Sequence, residues 1–185
     1  EELEAAQQEV LNSGGALNGM LRISTPLSFG VAHMSAAISQ FMHAHPEIRI
    51  EMDLSDKRVD LVAEGFDLAI RIGVLSDSSL IAKKISWVRK IPCAAPDFLG
   101  RYPKITKPED LNGAPGLVYS NDKSPADWAY TSPDGEEGVM RVAPKLTASN
   151  GDVLREAAIA GLGITCLPDF LHYDAINNGL LRPVL

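Results

Sequence analysis

At 185 residues, with 45% hydrophobic and 22% charged content, the chain is long enough for one or two lobes with a real core. A formal net charge of −7 argues against a phosphate-gripping face, which normally calls for an excess of lysine and arginine. No run of about 18 apolar residues occurs, so no membrane span is expected; the acidic start Glu1-Glu2-Leu3-Glu4, without a signal-peptide pattern, points to the cytoplasm.

Leu3, Ala6 and Val10 recur at three and four among Glu and Gln. They predict a coiled-coil-like helix end over residues 1–13, stopped by Asn12-Ser-Gly-Gly15, with an ordinary capping helix on the domain as the alternative. Met20 to Ile23 read as a first strand. Thr25 is placed to cap the next helix, with Pro26 at its first position, where a missing N–H is harmless. Leu27, Val31, Met34, Ile38, Phe41 and Met42 give that helix one face to bury, and His45-Pro46 ends it. Ile48, Ile50, Met52 and Leu54 alternate as a second strand. Ser55 then caps a helix carrying Val59, Val62 and Ala63, which Gly65 stops in a left-handed conformation. Leu68 to Ile72 form a third strand, so apolar that both of its faces should be covered.

Beyond the polar loop at 76–79, Leu80 to Pro92 favour strand and should carry the chain into a second lobe. Pro92, Pro96, Pro103 and Pro108 punctuate the next stretch. Strands are predicted near 116–120, 128–130, 139–142 and 145–147, with a hairpin turn over 132–138. Asn150 caps a helix that runs to Ala160, Gly161 stops it, and Gly163 to Leu167 is a strand.

No catalytic or metal-binding motif assembles, and no cofactor is implied. There is no Gly-x-Ser-x-Gly elbow, phosphate-cradling loop or His-Glu-x-x-His. Ala160-Gly-Leu-Gly163 follows a helix instead of opening one and reads as a helix stop. His43 and His45, two apart, point to different sides of a helix. His33 and His172 lack an acidic or cysteine partner, and all four histidines read as surface or lining residues. Cys93 and Cys166 are isolated in apolar stretches and read as buried, reduced thiols.

The positive signal is a convergence of helix starts. Thr25, Pro26, Leu27 and Ser28, together with Ser55, stand at the carboxyl ends of adjacent strands, and Ser149, Asn150 and Gly151 open another helix. Free N–H groups at such starts suit a carboxylate; plain capping is the alternative. Arg71, with Ile72 beside it at the end of the third strand, reaches either a ligand or Asp67 and Glu64. Trp128 either lines a cleft or packs in a core.

Taken in order, several segments closely resemble the regulatory domain of LysR-type transcriptional regulators. They are Leu21-Arg-Ile-Ser24, Phe41 with His45-Pro46, Leu54-Ser-Asp56, Glu64-Gly-Phe-Asp-Leu-Ala-Ile-Arg-Ile-Gly73, Ala95-Pro-Asp-Phe-Leu99, Asp110-Leu111, Gly161-Leu-Gly-Ile164 and Leu167-Pro168. The resemblance runs from Gly19 to Leu185. It implies two doubly wound, Rossmann-like α/β lobes with a ligand cleft between them, the type II periplasmic-binding-protein-like fold. Residues 1–18 would end a linker helix, 19–91 form lobe I and 92–185 lobe II, with a further strand and closing helix returning to lobe I after Leu185.

The implied function is a non-enzymatic sensor. A small, anionic effector would bind at Thr25, Pro26, Leu27, Ser28, Ser55, Arg71, Ile72, Trp128, Ser149, Asn150 and Gly151. A homodimer or higher oligomer would place helices 29–44 and 151–160 at its symmetry axis. DNA would be met only through a winged helix-turn-helix preceding the linker. Two other readings stay open. A periplasmic-type solute-binding protein would carry an export signal, and a small α/β enzyme would need a nucleophile or acid/base pair facing the cleft.

Overall fold

The computed structural model describes residues 17–57, 60–73 and 79–185, and the chain divides into two compact units at Arg71/Ile72. The helix expected over 1–13, its stop at 12–15, Val59 and all but Ser79 of the loop at 76–79 lie outside the described residues.

In the first unit, β1 (Gly19–Thr25) lies between β2 (Ile48–Leu54) and β3 (Leu68–Ala69) and runs parallel to both. Parallel neighbours need a crossover rather than a tight turn. Between β1 and β2 it is the helix α1, built of the consecutive stretches Leu27–Phe29, Gly30–Met34 and Ser35–Ala44, the middle one of π type. Gly30 lets α1 approach the sheet, since a Cβ there would stand 2.5 Å from Leu54 Cδ2 and 3.0 Å from Thr25 Cγ2. Among the described residues, the buried side chains of this unit are Ile23, Ser24 and Thr25.

Four expectations fail in this unit. Thr25 does not cap α1: the helix starts at Leu27, with Pro26 as an extended N-cap that has no side-chain acceptor. Thr25 therefore stands one residue too early and is fully buried. The apolar face of α1 is not buried, and Val31 is 62% exposed; periodicity makes a helix amphipathic, but burial also needs a covering layer. Among the described residues Ser55 heads no helix either. The regular part described in that crossover is one turn from Asp60 to Gly65, and Asp60 Oδ1 is its cap, accepting from the Val62 and Ala63 N–H groups at 3.1 and 3.0 Å. Gly65 does close it in the left-handed region (φ 71°), with its N–H on Val62 O and that of Phe66 on Leu61 O. Finally, β3 is a two-residue edge strand whose Leu68 is 37% exposed, so the apolar run does not mean two covered faces.

The second unit holds the core. Its sheet is ordered β10 (Arg182–Pro183), β4 (Lys90–Ala94), β9 (Ile164–Pro168), β5 (Pro115–Tyr119), β8 (Ala143–Ala148). β5 is parallel to β8 and β9, whereas β4 is antiparallel to β9 and β10. Strand alternation divides the core in two. Ala94, Val118 and Ile164 pack with Phe98, Leu111, Trp128 and Met140; Cys93, Leu117 and Leu167 pack with Leu154, Ala158, Leu171 and Leu181. Helix α2 (Pro96–Arg101) contributes Phe98 to the first cluster, and α3 (Gly151–Ile159) and α4 (Asp169–Asn177) build the second. β6 (Asp127–Thr131) and β7 (Glu137–Arg141) form the hairpin read from the sequence. Gly161 stops α3 with φ 73°.

Leu80 to Arg89 carries no ladder bond and is exposed throughout, and β4 starts only at Lys90. Ile85 and Trp87 (84% exposed) favour strand only where a neighbouring strand offers a pleated surface to fit. The prolines mask helices instead: Pro96 opens α2 and Pro108 a 3₁₀ turn to Leu111, positions where no N–H is needed. No periodicity marks α4, because Phe170, Leu171, Tyr173, Ala175 and Ile176 surround it rather than line one face.

Candidate functional site

The three parallel strands of the first unit end together. Ser55 N–H donates to Thr25 O at 2.9 Å and Ile70 N–H to Ser24 O at 2.8 Å, which brings Thr25, Ser55 and the start of the Ile70-Arg71 segment to one sheet edge. Arg71 Nη2 donates to Ser24 Oγ at 2.7 Å and Nη1 to Ile70 O at 3.0 Å. The pairing with Asp67 or Glu64 is not realised as a hydrogen bond. Asp67 Oδ2 accepts from Arg22 N–H at 2.8 Å, and Arg22 Nη1 holds Glu64 O at 2.8 Å. Burial lowers the Arg71 pKa, opposed by the carboxylates of Asp53, Asp56 and Glu64, which favour the charged guanidinium.

Thr25 Oγ1 is fully buried and has no hydrogen-bond partner. Such a group costs about 1–3 kcal/mol and calls for an explanation. Around it, Pro26 O accepts from Gly30 N–H at 2.8 Å, Leu27 N–H donates to Asp56 Oδ1 at 3.2 Å, and Ser55 Oγ accepts from Lys57 N–H at 3.3 Å. Ser28 is half-buried in the first turn of α1, and Ile72 half-buried beside Arg71. Asp56 is the residue that sequence reasoning passes over. Its sequence signals are its place in the turn directly after β2 and in the segment Leu54-Ser-Asp56 that carries the resemblance.

In the second unit, Asn150 is the N-cap of α3, its Oδ1 accepting from the Asp152 and Val153 N–H groups at 3.0 and 3.3 Å. Gly151 is buried at the first helical position, where a Cβ would stand 2.6 Å from Leu171 Cδ1, so a small residue there serves the packing of α3 on α4. Ser149 is exposed, and its carbonyl accepts from Asn121 Nδ2 at 3.5 Å; the same amide donates to Tyr119 Oη at 3.2 Å. Tyr119 and Asn121, which no motif marks in the sequence, therefore stand with Ser149 at the carboxyl ends of β5 and β8. Trp128 is 7% exposed in the core with Nε1 on Pro125 O at 3.1 Å, which is the packing alternative of the two considered. Asn150→Ala should cost about 1 kcal/mol of stability through the lost cap alone, read as a lower urea midpoint at unchanged slope. An unchanged midpoint would mean that the cap bonds contribute nothing.

His172 departs from its expected surface or lining place. It is fully buried in α4 with both ring nitrogens unpartnered, and burial, then Arg155, lowers its pKa to about 4. Cys93 and Cys166 are free thiols, Cys93 buried and Cys166 partly so, and burial pushes both up to about 12, which leaves them poor nucleophiles. Among the described residues no group of three His, Cys, Asp or Glu could hold a metal ion, and no helix is long and apolar enough to cross a membrane.

The family model of the LysR substrate binding domain matches residues 14–185. An HTH-type transcriptional regulator of Haemophilus influenzae is 34% identical over 184 residues, covering 100% of this chain and 64% of the relative. The regulator CrgA of Neisseria meningitidis serogroup C is 30% identical, covering 100% of this chain and 61% of the relative. Among solved structures, the CrgA regulatory domain from Neisseria meningitidis superposes with a TM-score of 0.76 at 30% identity, over 91% of this chain and 82% of that one. Full-length AphB, a virulence activator of Vibrio cholerae, gives 0.79 at 32% identity, over 99% and 62%. The chain spans about three fifths of the length of these curated relatives.

Proposed function

This chain belongs to the LysR substrate binding domain family, the effector-binding part of LysR-type transcriptional regulators with its two-lobed, type II periplasmic-binding-protein-like fold, and from that premise we propose which ligand it senses and how. The effector is a small anionic molecule, held between lobes formed by residues 19–91 and 92–185 at the carboxyl ends of their parallel strands. The observation that carries this reading is the buried, unpartnered Thr25 hydroxyl, at the sheet edge that also holds Ser55 and the Arg71 guanidinium. Ser149 with Asn121 and Tyr119 is the counterpart in the second lobe.

By preferring one lobe arrangement, the ligand shifts a population already present. The full-length protein, a cytoplasmic dimer or larger oligomer, passes that shift through a linker helix to a DNA-binding head. The helices at 29–44 and 151–160 form the dimer faces, a reading supported by the exposure of Val31 and Val153. The relatives are transcriptional regulators, so binding, not turnover, is the proposed activity.

The test is calorimetric titration of a panel of small carboxylates, with thermal melts in parallel. A hydrogen bond to a charged ligand contributes about 1.5–3 kcal/mol, so Ser55→Ala and Ser28→Ala should each weaken the best ligand roughly 10- to 150-fold. Unchanged affinity with a lowered melting temperature would place the pocket elsewhere.

A further inference from the structure

The edge proposed to receive an anion already holds one. Pro26 cannot cap α1 with its side chain, and the Leu27 N–H is instead bound by Asp56 Oδ1 at 3.2 Å, a carboxylate from the turn after β2. Beneath the same turn, Thr25 is fully buried with its methyl against Gly30, and its hydroxyl has no partner. An ordinary N-cap would be sufficient for the helix; it would not explain a buried hydroxyl at the same start with nothing to bond. Asp56 also lies within electrostatic reach of Arg71, whose guanidinium donates to the neutral acceptors Ser24 Oγ and Ile70 O. A displaced Asp56 carboxylate has a cation nearby to turn to.

We propose that Asp56 is an intramolecular stand-in for the effector's anionic group: its carboxylate holds the start of α1 in the unliganded protein, and a ligand carboxylate displaces it to bond both Leu27 N–H and the Thr25 hydroxyl. The inference rests on the anion-binding reading above and adds its regulation. Binding then couples to movement of the turn after β2, because Asp56 must leave as the ligand arrives.

The test uses the full chain and acetate as the probe, followed by ¹⁵N-resolved amide shifts at Leu27 and Ser28. Asp56→Asn keeps an acceptor for Leu27, and so the fold, but exchanges a charge-assisted bond for a neutral one. It should bind acetate about tenfold more tightly than the wild type at those amides. Removing any nearby negative charge favours an anion, so Asp53→Asn is the control: it deletes another carboxylate in reach of Arg71 but leaves the Leu27 bond. It should gain less than about threefold. Equal gains in the two variants, or no acetate shift at Leu27 in Asp56→Asn, would overturn the inference. The underlying reading fails separately. A carboxylate that binds tightly in the panel yet leaves Leu27 unshifted sinks Asp56's role alone, whereas a panel with no binder sinks the anionic effector.

Discussion

Acidification should remove about 3 kcal/mol from the stability of the second unit between pH 6.5 and pH 4, and His172→Leu should abolish that share. The His172 pKa is lowered from 6.5 to about 4, and a pKa difference of one between folded and unfolded states is worth about 1.36 kcal/mol. Between these two values the unfolded chain carries a protonated imidazole and the folded chain a neutral one. The unfolded state therefore binds more protons, and stability falls as pH falls. Above 6.5 the contribution is fully present; below about 4 it is gone.

The cause is packing, since α4 carries His172 into the layer against β9 and β4, where neither nitrogen finds a partner. The charged groups acting on it are Arg155 of α3, which disfavours the proton, and Asp169 at the head of α4, which favours it. Thr165, also buried without a partner, and Cys93 stand opposite each other in the sheet register and bring no charge at these pH values. Carboxylates also titrate in this range, but they are common to both proteins, so the comparison isolates His172. Both tryptophans and all four tyrosines lie in the second unit, so fluorescence-detected urea melts at pH 7 and 4.5 report it alone. Parallel pH dependence in wild type and variant would show that His172 contributes nothing to it.

What the sequence makes legible is what neighbours along the chain decide. Gly65 and Gly161 stop their helices, Asn150 caps α3 with two bonds, and the turn at 132–138 joins a hairpin, because each outcome needs only a few adjacent residues. Thr25 and Ser55 fail as caps because a cap is a one-residue matter: Pro26 delays the helix by one position, and Asp60 is the better-placed acceptor. The stretch 80–89 fails for the opposite reason, since strand propensity is a statement about a partner strand that these residues do not have among those described. The candidate site is half legible. Thr25, Ser55 and Arg71 reach one edge, as the order of strands and helices implies. Asp56 at the Leu27 N–H, the Tyr119–Asn121–Ser149 contact and the burial of Trp128 and His172 exist only once distant segments meet.

Leu154→Ala should cost the second unit about 3 kcal/mol, while Val153→Ala, one residue earlier on the same helix, should stay within about 0.5 kcal/mol. Leu154 is fully buried on the face of α3 turned to Leu117, Leu167 and Leu171, whereas Val153 is 51% exposed. Truncating Leu154 removes its transfer free energy and leaves a cavity that sheet and helices cannot fully close, because β5 and β9 are fixed by their ladder and α4 by its own contacts. Trp128 lies in the other cluster, on the opposite face of the sheet, so its emission follows unfolding of the unit without sensing the cavity directly. A Trp87→Phe background removes the 84%-exposed indole that would otherwise dilute that signal. At a slope of about 2 kcal/mol/M the urea midpoint should fall by roughly 1.5 M for Leu154→Ala and by less than about 0.3 M for Val153→Ala. Equal shifts for the two would mean that α3 does not present the face described, and the helix start at 149–151, on which the second half of the proposed effector site depends, would lose its placement with it.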